Sequence, residues 1–364
     1  PSEYEATQIL RVLSITDIDK NIERLVVKEE VFEGVNILFN PENTDDIAYI
    51  HILFDTSTVA QEDIPYLGLL SHMLTYLSTK HYTYTQIENE INKNTGGLNC
   101  SINVYADIND SDRYKPAFKI SSKIFIDKFP RYIDLTKEII SESCFHEKEK
   151  IRELLDYIHY ELKRSFILAP EYQSAKRVCA YISQVGMYEE MASGMNYYKV
   201  VSDLLDDYDN QFEMLSNKLC QIYKDIINRK NLLISITAQE KYYDDIMRHI
   251  KNLIDSIPLK NTVTNSYSFC FSYTREGCMT SNALQSVATG FNFKKSGYPF
   301  SGALHVATNI LNSTYLWDHI RLRGGAYGCD LTIDRNGHVI LCSYSDPHLI
   351  RTLKTYEQIA NFLS

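Results

Sequence analysis

The sequence predicts an α+β fold of two related units, each an antiparallel-rich sheet with helices packed on one face. Three observations predict it. Strand-period and helix-period stretches lie side by side without the strict alternation of a parallel βαβ fold. The order strand, helix, helix, Gly-Gly, strand occurs twice. Finally, 364 residues with 44% hydrophobic and 23% charged side chains describe a globular chain long enough to bury more than one core.

From Ile47 to Phe54, Ala48, Ile50, Ile52 and Phe54 fall on one side of a two-residue period, which predicts a strand with one buried face. A helix follows over Tyr66 to Leu77, with Leu69, Leu70, Met73, Leu74 and Leu77 on one stripe. A second helix, Tyr84 to Asn94, ends at Gly96 and Gly97, and the next strand alternates through Leu98, Cys100, Ile102, Val104 and Ala106. The clearest member of the helical region beyond runs from Glu147 to Phe166, with Ile151, Leu154, Leu155, Ile158, Leu162 and Phe166 on one face. Asn231 to Ala238 reads as a short apolar strand, and Tyr242 to Ile257 as the helix that closes this unit.

The order then repeats. Leu284 to Phe293 predicts a strand, Gly302 to Leu311 and Ser313 to Leu322 two helices, and Gly324 with Gly325 precedes a strand from Ala326 to Ile333. Asn336 and Gly337 predict a tight two-residue turn, with Val339 to Tyr344 returning antiparallel. Pro258 and the polar run from Asn261 to Ser266 mark the boundary. The division is a connecting segment over 1–20, a first unit over 21–257 and a second over 258–364. The second is less than half as long as the first, so we expect it to be incomplete, with the natural polypeptide continuing past Ser364 and beginning before Pro1.

Composition narrows the function. Lys and Arg number 37 against 47 Asp and Glu, a balance of −10 that repels a phosphate backbone. No run of about 18 uncharged apolar residues predicts a membrane span, and Pro1 to Glu5 has no basic or apolar signal character. The eight cysteines lie far apart with no C-x-x-C pair, which predicts reduced, buried thiols in a cytoplasmic or organelle-matrix setting.

The common catalytic motifs are missing from the sequence. There is no H-E-x-x-H or H-x-x-E-H to place two histidines on one helix face around a zinc ion, no G-x-S-x-G elbow, no phosphate loop and no dinucleotide fingerprint. His146 with Glu147 and Glu149, and His159 with Glu161, read as solvated helix surface, as do the cations Lys294, Lys295, Arg321 and Arg323. One segment stands apart, Tyr315 to Gly328, which holds the sole Trp, two arginines at a helix end and a Gly-Gly pair suited to a left-handed cap. Residue chemistry alone leaves two readings of it open, a well-capped helix or a functional segment.

Ile320 to Gly328 resembles the I-R-x-x-G-G-A-Y-G segment in the C-terminal half of presequence proteases and falcilysin, members of the pitrilysin group of inverted-motif zinc metallopeptidases. Ser345, Asp346, Pro347 and His348 resemble the segment just beyond that family's Gly-Gly hairpin. The resemblance implies two halves, each of two pitrilysin-type (metallohydrolase-like) α+β domains, clamped around a chamber that admits peptides. The N-terminal half would carry H-x-x-E-H and the zinc; this chain would be the noncatalytic C-terminal half. Gly68, Leu69, Leu70, Ser71 and His72 stand where the zinc motif would fall, and only its last His remains. A catalytic zinc needs about three protein ligands, so the chain itself is expected to hold no metal and to be inactive alone, with His72 a packed helix residue. The same resemblance implies that Arg321 and Tyr327 reach the substrate at the partner half's zinc site and stabilise charge on the peptide carbonyl oxygen. It further implies that Gly324 and Gly325 border the substrate, and that the partners are the N-terminal catalytic half and unfolded peptides, not nucleic acid or membrane. A standalone structural or peptide-binding protein descended from such a half is the alternative. An unrelated α+β enzyme would need a site that the motifs do not supply.

Overall fold

The computed structural model describes residues 14–21, 24–110, 112–271 and 275–363. Of the expected connecting segment, residues 1–13 lie outside the described residues, and the rest contains one short 3-10 turn, Ile15–Asp17.

Alternation of apolar and polar side chains builds the first sheet from β1 (Lys28–Phe32), β2 (Val35–Pro41), β3 (Ile47–Asp55), β4 (Leu98–Ala106), β5 (Tyr114–Phe125) and β6 (Leu232–Ala238). Their order is β1-β2-β6-β3-β5-β4, and only β2 and β6 run parallel. The register sets like against like: Ile50 opposes Ile236, Ile52 opposes Ile234, and Phe54 opposes Phe118. These residues are fully buried beneath the helices, in one core shared with Leu69, Leu70, Ile133 and Leu219. Successive strand residues point to opposite faces, so Tyr49, His51, Asn99 and Lys123 stand exposed on a face that no helix covers.

Several elements go beyond the sequence reading. β1, β2, β5 and the helix Phe129–Glu142 were not anticipated. In β5 the pattern is interrupted by Pro116 near its start and by Ser122 in the buried row, two residues that weaken a strand signal. The helix expected over Tyr66 to Leu77 runs from Ile64 to Met73, with Pro65 in its first turn, and tightens into a 3-10 turn over Leu74–Tyr76.

The second sheet has the order β7-β9-β8, all antiparallel, from β7 (Gln285–Asn292), β8 (Gly328–Ile333) and β9 (His338–Asp346). It reproduces the β3-β5-β4 part of the first. In both, the outer strands are joined through two helical segments and Gly-Gly, and the middle strand enters last through a hairpin. The second glycine of each pair, Gly97 (φ 102°) and Gly325 (φ 78°), takes the left-handed conformation. Thus the two related α+β units expected from the sequence are present.

Two local expectations are corrected. Ser313 to Leu322 is not a separate α-helix, because Gly302–Leu311 passes directly into a π-helical segment, Asn312–Leu322. The β8–β9 connection is a four-residue loop, closed by the Gly337 N–H on the Asp334 carbonyl (3.2 Å), with Gly337 alone of its residues at positive φ.

β9 is buried from His338 through Ser343 because both its faces are covered. Val339 and Leu341 pack with Leu311, Leu316 and Ile320. Against the other face lies the helix Pro170–Ile182, where the Cys342 thiol donates to the Glu171 carbonyl (3.4 Å). All eight cysteines are free, but Cys270 and Cys278 are exposed, which corrects the expectation that all are buried. No helix among the described residues is long and apolar enough to cross a membrane.

Candidate functional site

The π-helical segment ends in widened hydrogen-bonded turns. Arg323 N–H reaches the Asp318 carbonyl (2.9 Å), Gly325 N–H the Arg321 carbonyl (2.9 Å) and Ala326 N–H the Ile320 carbonyl (3.1 Å). This is the paired closure of a glycine C-cap enlarged by one residue, and it needs the positive φ of Gly325. Tyr327 N–H then bonds the Tyr344 carbonyl (3.1 Å), tying the turn to β9. Beyond β9, the buried Asp346 carboxylate accepts from Ser343 Oγ (2.6 Å), Thr352 Oγ1 (2.6 Å) and the His348 N–H (2.8 Å). That network anchors residues 345–348 beside the turn.

On this frame the two arginines part company. Arg323 lies on Asp318, through Nε to Oδ1 (3.2 Å) and Nη2 to Oδ2 (2.9 Å). Arg321 is paired with no carboxylate among the described residues. Its guanidinium carbon instead lies 4.0 Å from the Trp317 ring centroid and 5.6 Å from that of Tyr327. Contact through an aromatic face stabilises the cation while its in-plane N–H donors remain unspent. The Tyr327 ring is 68% exposed and packs against Tyr344 (5.7 Å between centroids), whose phenol is pushed up by burial and the nearby Asp330, with Arg321 acting the other way.

Arg321, Tyr327 and Gly325 line one open cleft of about 570 Å³ with Leu284, Leu322, Ala326 and Ser345. Gly324 does not line it. It is buried in the turn, where a side chain would strike the Ile320 carbonyl, so its place is in the closure beneath the cleft. The sequence reading did not pick out Leu284, Leu322, Trp317 or Tyr344 as site residues. Trp317 had a signal, being the sole Trp and four residues before Arg321. Lys294 and Lys295 turn elsewhere, to the Ile108 carbonyl (2.7 Å) and Asp112 (3.9 Å). A second cleft, between Val59 and the helix Tyr208–Ile226, has its Lys218 paired with Asp63 at 2.7 Å.

The residues in the place of the zinc motif do not fit a zinc ion. Gly68 packs its backbone against the Ala192 carbonyl and the Tyr197 ring, so the first ligand position has no room for a side chain. Ser71 Oγ and His72 Nδ1 both lie 2.8 Å from the Gly68 carbonyl. His72 is exposed, with its ring alongside Tyr197 (6.0 Å), which corrects the expectation of a packed residue. His146 approaches Ser216 Oγ (3.3 Å) and His159 stacks on Tyr198 (5.1 Å), separate from one another. No group of three His, Cys, Asp or Glu suited to a metal forms among the described residues.

Comparison with known proteins adds the following. Residues 1–204 match the family described as peptidase M16 subfamily C associated, and residues 276–364 match the PreP C-terminal domain. The chain is similar to protein HypA of Clostridium perfringens (29% identity over 364 residues, 100% of this chain and 37% of that protein). It is also similar to presequence protease 1, chloroplastic/mitochondrial, of Arabidopsis thaliana (24% over 371 residues, 100% of this chain and 34% of that protein). It therefore spans about a third of the length of these relatives. Among solved structures, a protease from Helicobacter pylori (TM-score 0.64, 14% identity) and a peptidase M16 inactive domain from Pseudomonas fluorescens (TM-score 0.60, 12% identity) share the fold. Each alignment covers 93% of this chain and 79% of the other.

Proposed function

Since this chain belongs to the family associated with peptidase M16 subfamily C, we propose that it is the noncatalytic C-terminal half of a zinc metalloendopeptidase. Its partner is an N-terminal half that carries the zinc, and the two enclose a chamber for unfolded peptides in the cytoplasm or an organelle matrix. The metal supplies the activation of water there; this chain supplies a wall and two polar groups. Arg321 donates through its in-plane N–H groups, and Tyr327 through its phenol, to the carbonyl oxygen of the bond to be cut, where negative charge develops. Gly325, without a side chain, lets a peptide backbone approach. Gly324 keeps the turn closed.

The observation that carries this reading is the guanidinium of Arg321, stacked between two rings in a cleft and paired with no carboxylate among the described residues. Within the assembled two-half enzyme, Arg321→Ala and Tyr327→Phe should each lower turnover about 100-fold to 1,000-fold, the usual loss of one such donor, with zinc content unchanged. Unchanged rates in both variants would remove the role. A second reading, a peptide-binding protein without proteolytic activity, draws on the uncovered face of the first sheet and on its exposed edge strand β1. Peptide capture by this chain, with no cleavage when the N-terminal half is added, would favour it.

A further inference from the structure

The arrangement around Arg321 goes one step further than its assigned contact with substrate, and depends on that assignment. We propose that Trp317 is a positioning residue, whose indole face fixes the guanidinium so that its in-plane donors are presented to the cleft. Arginine has several rotatable bonds, and a half-exposed one without a partner samples many rotamers. Two contacts remove that freedom here. Arg323 occupies the Asp318 carboxylate, the acidic group next in sequence to Trp317, and so takes away the competing ion pair. Trp317 then offers Arg321 a ring face at 4.0 Å, well inside the range of about 6 Å over which a cation and a ring attract, and Trp is the strongest ring for this purpose. Tyr327, at 5.6 Å and 68% exposed, covers the guanidinium more loosely. A face contact spends none of the five N–H donors, whereas a carboxylate in place of Trp317 would consume two.

Trp317 is the sole Trp in 364 residues, so its fluorescence reports the stack directly. In this chain, Arg321→Ala should uncover one indole face and raise quenching by acrylamide; unchanged quenching overturns the proposal. In the assembled enzyme, Trp317→Leu should lower kcat about 10-fold with KM unchanged, the worth of a cation–π contact expressed as rate, and Trp317→Phe should recover most of it. Equal losses in Leu and Phe variants would mark Trp317 as packing only and overturn the proposal. So would a normal kcat for Trp317→Leu beside a depressed Arg321→Ala, which leaves the role of Arg321 intact. Normal rates in both would dismiss the role of Arg321 and its positioning together. Should Trp317→Leu not fold, the quenching result and the Phe variant decide.

Discussion

The main-chain oxygen of Ala192 occupies the place that a side chain on Gly68 would need. In an open helix interior, Gly→Ala gains about 1 kcal/mol. Here the same change forces the helices Ile64–Met73 and Gln184–Ser193 apart, and overpacking costs about 1–3 kcal/mol. Gly68→Ala should therefore lower the urea midpoint, and Gly68→His combined with Ser71→Glu should still bind no stoichiometric zinc by metal analysis.

Arg321 and Arg323 lie two residues apart and make opposite uses of their charge. Arg323→Ala breaks an exposed ion pair with Asp318, of the kind usually worth about 0–1 kcal/mol. In the assembled enzyme it should leave turnover within a few-fold of wild type, against the large loss for Arg321→Ala. Peptide-cleavage rates measured on the two variants side by side check the contrast.

Asp346 gathers two hydroxyls and a main-chain N–H at a buried carboxylate. Asp346→Ala leaves the Ser343 and Thr352 hydroxyls buried without that acceptor, at a cost of about 1–3 kcal/mol. Asp346→Asn, which keeps an acceptor oxygen, should cost less. Chemical denaturation followed by circular dichroism ranks the two.

Glu90 accepts from Arg131 through Nε (3.2 Å) and Nη2, and this hydrogen bonding holds its carboxyl below the usual 4.5. A carboxyl depressed in the folded state adds stability above its unfolded value, and the gain disappears as pH falls through the folded value. Wild type should exceed Glu90→Gln in urea midpoint at neutral pH, and the two should converge as the pH drops below 4.5.

The repeat was legible because Gly96–Gly97 and Gly324–Gly325 follow helical stretches and precede alternating ones, and both sheets carry it. Strands such as β3 and β4 could be read from period alone. β5 could not, since Pro116 and Ser122 interrupt its apolar row, and only pairing with both neighbours holds it as a strand. The segment Asn312–Leu322 carries no sequence mark that separates five-residue from four-residue closure. At the cleft, a motif match could nominate Arg321 and Tyr327. That Arg323 rather than Arg321 takes Asp318, or that Leu284 joins the lining from a distant strand edge, depends on packing across the turn.

The helix Pro170–Ile182 has a practical consequence for dissecting the molecule. It belongs by sequence with the first sheet, yet it shields one side of β7 and β9, placing Val178 over Gly290. A fragment cut at Pro258 would forfeit that shield and present a greasy strip of Ile340 and Cys342 to other copies of itself, inviting precipitation. Any soluble miniature of the shorter sheet has to start upstream of Pro170.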